Sequence, residues 1–277
     1  MGEGTRPGKE YELTVRDIRT ALTDTAELGG FFDVEVPDPP VRVVDAPWRP
    51  LNQLWSDPGV LAQRIADVRQ RIAHRCGRGV GDIEPRVAAS IMFQGTASRL
   101  LSPSIATTVT YGLLCPPSAL YWQPSQEGPI PLRVGDTEAV RCGTDPSAAA
   151  HAISEHVLTE VFQPLAAAAR EQVKLAPGLL WGNVASSVSG ACRRLADLRP
   201  GMSQPALELG QALLELEPLR GRGEFVRPFP QLPQTAFFVR RTCCLYYRVP
   251  NNGKCGDCAL LSEQTRQEQW RRAADVR

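Results

Sequence analysis

The stretch Arg241-Thr-Cys-Cys-Leu-Tyr-Tyr-Arg-Val-Pro-Asn-Asn-Gly-Lys-Cys-Gly-Asp-Cys258 contains four of the eight cysteines of this 277-residue chain. Cys243 and Cys244 are adjacent, and Cys255 and Cys258 follow after a gap of ten residues. Four thiols this close together, in a segment too short to bury them as ordinary core residues, indicate a metal site. Because thiolates bind both zinc and iron–sulfur clusters, the cofactor decides whether the site is redox-active or purely structural.

The spacing of the cysteines limits how they can bind a metal. Cys255 and Cys258 form a two-ligand turn in which Gly256 permits a tight backbone, and the turn Pro250–Gly253, with a positive φ predicted at Gly253, returns the chain towards Cys243. Neighbouring side chains of a strand point to opposite faces, so either the backbone turns sharply at Cys243 and Cys244 or the two sulfurs bind different metal atoms. The spacing favours a [2Fe–2S] cluster and leaves structural zinc open.

Composition and charge exclude several classes of protein. The chain is 43% hydrophobic, with a formal net charge of +1 and a pI near 7.6, and it lacks the basic stripe of a nucleic-acid-binding protein. The N-terminus has no apolar run typical of a signal peptide, and no run approaches the roughly 18 apolar residues of a transmembrane segment. We therefore expect a cytoplasmic protein, with or without loose association with the inner face of the membrane.

A cytoplasmic location makes disulfides a poor explanation for the clustered cysteines, because thiols stay reduced in that compartment. The remaining four cysteines are scattered singly along the chain. We predict that they are small buried apolar residues rather than ligands: Cys76, Cys115, Cys142 and Cys192.

Hydrophobic periodicity predicts a mostly helical α+β fold with a small antiparallel sheet. Helices are predicted from Thr14 to Gly29, 57–77, from Pro85 with a break or kink at Pro103, 145–174, 177–198, 203–216 and after Ser262; strands are predicted at 32–36, within 116–143 and at 235–239. Residues 1–234 are interpreted as a mainly helical scaffold that carries the substrate site. Residues 235–277 are interpreted as the cluster-binding segment with its closing helix, and both parts are expected to form one compact unit.

The cysteine stretch resembles the C-terminal signature of FhuF-type ferric-siderophore reductases, a Cys-Cys-x10-Cys-x2-Cys motif that holds a [2Fe–2S] cluster. Cys243, Cys244, Cys255 and Cys258 all match the family spacing. Two upstream runs are also similar to the family: Phe93-Gln-Gly95 through Arg99-Leu-Leu-Ser-Pro103, and Leu180-Trp-Gly-Asn183. The resemblance implies that these four cysteines bind a [2Fe–2S] cluster, and that the protein reduces a ferric siderophore by one electron in the cytoplasm to release Fe(II).

The implied chemistry is consistent with the ligand preferences of iron. Siderophores hold Fe(III) through hard oxygen donors, which bind the less charged ferrous ion far more weakly, so one electron suffices for release. The sequence contains no dinucleotide-binding or phosphate-loop motif. Electrons must therefore come from an external donor such as a ferredoxin or an NAD(P)H-dependent reductase.

Cations surround the cysteines in the sequence: Arg240, Arg241, Arg248 and Lys254. We interpret them either as residues that raise the cluster potential and attract an anionic siderophore or an acidic donor, or as a solvated loop face. Trp181 and Asn183 border the substrate or the cluster in one interpretation. In the other they are a buried core tryptophan and a capping asparagine, and Tyr246 and Tyr247 are expected to pack.

Two other functions remain open at this stage. A zinc-stabilised binding module without redox activity would use the same four thiolates. An iron–sulfur electron-transfer protein or sensor would bind the same cluster without acting on siderophores, since the cysteine motif does not identify a substrate.

Overall fold

A computed structural model describes residues 17–38, 47–125, 128–232 and 235–275 of the chain. About 60% of the structure is helical and the strands form small antiparallel sheets, which confirms the predicted fold class. The α-helices are α1 Ile18–Ala26, α2 Gln53–Ser56, α3 Pro58–Arg75, α4 Pro85–Tyr111, α5 Pro146–Ile153, α6 Gln163–Gln172, α7 Pro177–Leu198, α8 Ser203–Glu215 and α9 Glu263–Asp275. The strands are β1 Arg49–Pro50, β2 Leu113–Leu114, β3 Leu120–Trp122, β4 Leu132–Val134, β5 Val140–Arg141, β6 Gly223–Val226 and β7 Phe237–Arg240.

The strands pair in three small antiparallel groups. β3 lies between β1 and β4, β2 pairs with β5, and β6 pairs with β7. The strand predicted at 32–36 is largely wrong: Gly30–Phe32 forms a 3-10 turn, and Glu35 makes a single parallel bridge with Arg133. Thr14, proposed to cap the first helix, lies outside the described residues, and Asp17 caps α1 instead by accepting a hydrogen bond from the Arg19 N–H.

Helix α4 is the centre of the core and packs against α1, α3, α7 and α8. Pro85 begins it, and Gly112 ends it in a left-handed conformation with φ +63°. Of the break or kink predicted at Pro103, the break does not occur, because the helix continues to Tyr111; burial on nearly all sides outweighs the loss of one backbone hydrogen bond. The kink stays a prediction. No helix in the described ranges, α4 included, combines the length and apolarity needed to cross a membrane.

The predicted helix at 145–174 consists of three successive segments. Asp145 caps α5 as predicted, a π-helical segment Ser154–Phe162 follows, and α6 completes the stretch. The helices predicted at 177–198 and 203–216 are confirmed as α7 and α8.

The chain reaches the cysteines along β7 and leaves them into α9. Phe237 of β7 stacks on Trp270 of α9, with ring centroids 5.2 Å apart and an interplanar angle of 28°. The Arg266 Nη2 group of α9 donates to the Cys258 carbonyl at 3.3 Å. Helix α9 therefore holds the end of the cysteine segment against the helical core.

Candidate metal centre

The cysteine segment, defined as residues 243–258, folds back on itself and brings its thiols together. The Cys244 and Cys255 sulfurs lie 3.6 Å apart, and Cys243 interacts electrostatically with Cys244 and Cys258. Cys244 and Cys258 are buried, at 3% and 2% exposure, whereas Cys243 and Cys255 are half-buried. The segment therefore has one side against the protein and one side open.

A sharp backbone turn directly follows the adjacent cysteines. Leu245, directly after the pair, has φ +65° and ψ 1°, a left-handed conformation that is unusual for a residue other than glycine. This turn aims the Leu245 N–H at the Cys243 sulfur, 3.3 Å away. The Leu260 N–H makes an equivalent 3.4 Å contact with the Cys258 sulfur. Burial raises the pKa of the Cys243 thiol, and the hydrogen bond from the Leu245 N–H opposes that change.

The turn between the two pairs of cysteines differs from the prediction in one respect. Asn251, with φ +63°, is the residue with positive φ in this turn, and Gly253 is not. Asparagine is one of the few non-glycine residues that tolerate this conformation. The backbone then closes the second turn with a hydrogen bond from the Cys258 N–H to the Cys255 carbonyl at 3.1 Å.

The Cys244 and Cys255 thiols are hydrogen-bonded to each other. A hydrogen bond from Cys255 lowers the pKa of Cys244, burial opposes this change, and the nearby Arg240 guanidinium lowers the pKa further. The same hydrogen bond and burial raise the pKa of Cys255. The protein environment thus already favours a thiolate at Cys244.

Arg240 places a buried positive charge beside the cysteines. The residue is 1% exposed, and its Nε lies 3.8 Å from Asp257 Oδ2 without forming a hydrogen bond. Both Nε and Nη1 are buried without a hydrogen-bond partner. Burying a cation with two unsatisfied donors is costly unless an anionic group compensates it. An iron–sulfur cluster with four thiolates is such an anion, so the residues present fit this cofactor.

The Nη2 group of Arg240 begins a buried chain of hydrogen bonds that ends at the cysteine segment. Arg240 Nη2 donates to the Gly182 carbonyl and to Asn183 Oδ1, each at 2.8 Å. Asn183 Nδ2 donates to Ser90 Oγ at 3.0 Å, and Ser90 Oγ donates to the Cys244 carbonyl at 2.7 Å. Asn183 is therefore neither a helix cap nor a surface residue, because it connects α4, α7 and the cysteine segment.

Gly182 allows the cysteine segment to lie directly on α7. A Cβ atom at this position would overlap Thr242 Oγ1 and lie 3.1 Å from Thr242 Cβ. Since Thr242 immediately precedes Cys243, any side chain at position 182 would push the first pair of cysteines away from the helix. Trp181, the neighbouring residue, is half-buried and packs against the core.

The other cations predicted near the site lie on its surface and have partners of their own. Arg241 forms an exposed ion pair with Glu224 at 3.3 Å, and Arg248 Nε lies 2.7 Å from Glu84 Oε1. Lys254 Nζ donates to the Leu260 carbonyl at 2.6 Å. Of the four predicted cations, only Arg240 is buried beneath the cysteines.

Several residues that hold the site were missed by sequence reasoning. Ser90 and Thr242 were not selected, and neither was Ser186, whose hydroxyl donates to Asp257 Oδ2 at 2.6 Å. The available signal was the run Leu180-Trp-Gly-Asn183, in which Gly182 leaves room for Thr242 and the Asn183 amide bonds to Ser90 and Arg240. Ser90 follows Ala88 and Ala89 in a mostly apolar run, and this pattern does not indicate a role at the cysteine site.

The remaining cysteines do not add ligands to this site. Cys115 and Cys192 are buried, and burial raises the pKa of each to about 12. Cys142 is half-buried and its thiol lies 3.3 Å from the Gly112 carbonyl, and Cys76 is also half-buried. Across the part of the chain that the structure describes, the four clustered cysteines included, no three His, Cys, Asp or Glu side chains are arranged to hold a single metal ion.

Comparison with known proteins identifies the cysteine segment. Residues 240–260 match the family model described as the FhuF 2Fe-2S C-terminal domain. This match includes Arg240 and all four clustered cysteines, and it indicates a [2Fe–2S] cluster as the cofactor. A search of curated proteins found no significant match to the chain.

Proposed function

We propose that this chain, which carries an FhuF-type 2Fe–2S domain at residues 240–260, is a ferric-siderophore reductase. Its proposed cluster ligands are Cys243, Cys244, Cys255 and Cys258. A [2Fe–2S] cluster bound there supplies one electron at a time. The reaction converts Fe(III) in the siderophore to Fe(II), which the hard oxygen donors of the chelate hold weakly and release.

The observation that carries this proposal is the two-sided environment of the cysteine segment. On the inner side, the buried Arg240 guanidinium, whose Nε and Nη1 have no hydrogen-bond partner and whose paired carboxylate on Asp257 is 3.8 Å away, favours an anionic group and favours it more strongly as its negative charge grows. On the outer side, Cys243 and Cys255 are half-buried rather than enclosed. A centre open on one side is suited to exchange electrons with partners that bind at the surface.

An external donor is needed because the sequence contains no dinucleotide-binding motif. Three large apolar side chains beside the cysteines are exposed: Tyr246 at 38%, Tyr247 at 41% and Leu260 at 46%. Both tyrosines were expected to pack, and their exposure argues against this; the alternative, that they shield the cluster or stack on substrate, stays a prediction. We assign the part of this surface formed by Tyr247 and Leu260 to a donor such as a ferredoxin or an NAD(P)H-dependent reductase, and we place the reaction in the cytoplasm.

The test is a single-turnover experiment under anaerobic conditions. Protein reduced with half a mole of dithionite per cluster, which supplies one electron, is freed of residual reductant and mixed with ferric hydroxamate, catecholate and carboxylate chelates, and Fe(II) is trapped with a colorimetric chelator. We expect reoxidation of the visible chromophore and one Fe(II) released per reduced cluster with at least one of these chelates. A Cys255→Ser variant, which removes one proposed ligand, is expected to release none above background.

The outcome separates the proposed reductase from a sensor or electron carrier. If the reduced protein retains its electron in the presence of every chelate but transfers it to an artificial acceptor, the cluster is functional and the siderophore assignment is wrong. If the protein is colourless with one zinc per chain, both redox functions are wrong.

A further inference from the structure

A groove between α3 and α4 leads to the cysteine segment. Its central cavity, about 320 Å³, is lined on one side by Arg64, Arg71 and Arg75 of α3. The opposite side contains Ile91, Met92, Gly95 and Thr96 of α4, with Phe31 and Pro129–Ile130 at the rim. Cavities of a few hundred Å³ with mixed apolar and charged walls are typical small-molecule sites.

The groove continues from the arginines to the turn that joins the two pairs of cysteines. A neighbouring cavity of about 330 Å³ shares Ile72, Arg75 and Ile91 with the first and is closed by Tyr246 and residues 249–252. Ile91 follows Ser90, whose hydroxyl holds the Cys244 carbonyl at 2.7 Å. Tyr246, which lines the second cavity, is two residues from Cys244, so a ligand there would contact the loop that joins the two pairs of cysteines.

Arg64 lies at the base of this groove with its charge poorly compensated. It is 5% exposed, its Nη1 has no hydrogen-bond partner, and the nearest carboxylate atom paired with it, Asp67 Oδ2, is 3.9 Å away. The Arg64 guanidinium also lies 5.8 Å from the ring centroid of Trp122. Because the Nη1 atom itself is buried, an anionic ligand in the adjoining cavity would compensate the Arg64 charge across a short distance rather than through a hydrogen bond to that atom.

Two further arginines extend the positive charge outward along α3. Arg71 is half-buried, and its Nη1 lies 3.3 Å from the Ser125 carbonyl and 3.4 Å from the Gly128 carbonyl, so these contacts orient it without neutralising it. Arg75 is exposed and lines both cavities. Among the described residues that line them, neither cavity has a carboxylate, and Asp67 lines only an adjoining outer cavity.

We propose that this groove binds the ferric siderophore and selects complexes that carry net negative charge, such as ferric tricatecholates or carboxylate chelates. The inference rests on the proposed reductase function and adds the substrate site and its charge preference. The three arginines face the anionic donor atoms of the chelate, and Ile91 and Met92 contact its apolar backbone. Reduction needs one electron from the external donor and leaves Fe(II) and the free chelate as products.

The experiment compares charge reversals inside and outside the groove. The test variants are Arg71→Glu and Arg75→Glu, which change groove residues that are at least partly exposed. The matched control is Arg78→Glu, because Arg78 is exposed, lies three residues beyond Arg75 and lines neither cavity. Steady-state reduction is measured with a ferric tricatecholate and with a neutral ferric trihydroxamate. Binding of each complex to oxidised protein is followed by quenching of tryptophan fluorescence.

We expect each groove variant to raise the KM and the Kd for the tricatecholate about tenfold, as for a loss of about 1.4 kcal/mol in binding. The values for the neutral complex should change less than about twofold, and Arg78→Glu should behave like the wild type, as for screened surface charges. An unchanged low-temperature EPR signal shows that the cluster is intact in each variant.

Three results would overturn the inference. In the first, both groove variants bind the tricatecholate as tightly as the wild type does. In the second, the groove variants lose as much affinity for the neutral complex as for the tricatecholate. In the third, the wild-type protein binds the neutral complex more tightly than the anionic one. Failure of the proposed function looks different, because the wild type then reduces no chelate at all. The fluorescence titration still tests the groove in that case.

Discussion

Replacing Gly182 with alanine tests how closely the cysteine segment must approach α7. The added Cβ would overlap Thr242 Oγ1 and lie 3.1 Å from Thr242 Cβ, so Thr242 and the adjoining Cys243 must move outward. Overpacking of this kind costs about 1–3 kcal/mol, whereas alanine in place of glycine inside a helix returns about 0.5–1 kcal/mol. We expect a net destabilisation of about 1–2 kcal/mol and weaker retention of the cluster.

Gly190→Ala is the matched control on the same helix. A Cβ at Gly190 meets no heavy atom within 4 Å, so only the gain in helix propensity remains. For a protein of this size, each kcal/mol corresponds to a Tm change of about 2–4 °C. Gly182→Ala should therefore unfold several degrees below wild type and contain less iron per chain, while Gly190→Ala should unfold at or slightly above the wild-type temperature with full iron content.

A second substitution distinguishes the steric explanation from a general loss of stability. Thr242→Ala removes the hydroxyl that the new methyl group would meet, and it should restore much of the Tm and iron content in the Gly182→Ala background. The double-mutant cycle then gives a favourable coupling energy between the two positions. The steric explanation is wrong if Gly182→Ala matches Gly190→Ala in Tm and iron content. It is also wrong if Thr242→Ala does not restore the Tm and iron content of the Gly182→Ala variant.

Further predictions concern the charge, the hydrogen-bond chain and the ligands. Arg240→Gln should lower the reduction potential by about 50–100 mV in an EPR-monitored titration, because a buried cation favours the more negative state; the exposed Arg241→Gln should change it much less, and equal shifts would argue against the buried charge. Asn183→Ala should lower the free energy of unfolding by about 1–3 kcal/mol, since Ser90 and Arg240 lose their shared partner, and wild-type denaturant stability would contradict this. Serine at any of the four clustered cysteines should abolish the visible chromophore yet preserve most of the far-UV helical signal, and loss of that signal would show that the cluster is needed for the whole fold.

The helices could be predicted well because their signals are local. Asp57 followed by Pro58 predicts the start of α3, and Asp57 Oδ1 does accept the Gly59 and Val60 N–H groups. The same local reasoning left a break or a kink open at Pro103, where the surroundings of α4 keep the helix unbroken. Propensity describes an isolated segment, whereas burial of the segment on nearly all sides can outweigh the cost of a proline.

The candidate site could be predicted only in part, for a related reason. Spacing brought Cys243, Cys244, Cys255 and Cys258 together, since the residues between them form the turns. It could not indicate that Arg240 is buried while Arg241 is exposed, because this difference depends on contacts of β7 with α7. The Ser90 to Cys244 hydrogen bond joins positions 154 residues apart, and the arginine groove likewise arises only where α3 packs against α4.

Spectroscopy and metal analysis of anaerobically isolated protein show whether the cysteine segment binds a [2Fe–2S] cluster. With this cluster bound, we expect about two irons and two acid-labile sulfides per chain, a visible charge-transfer chromophore, and an EPR signal from a spin-1/2 centre that develops on one-electron reduction. A colourless protein without labile sulfide that contains one zinc per chain would contradict it.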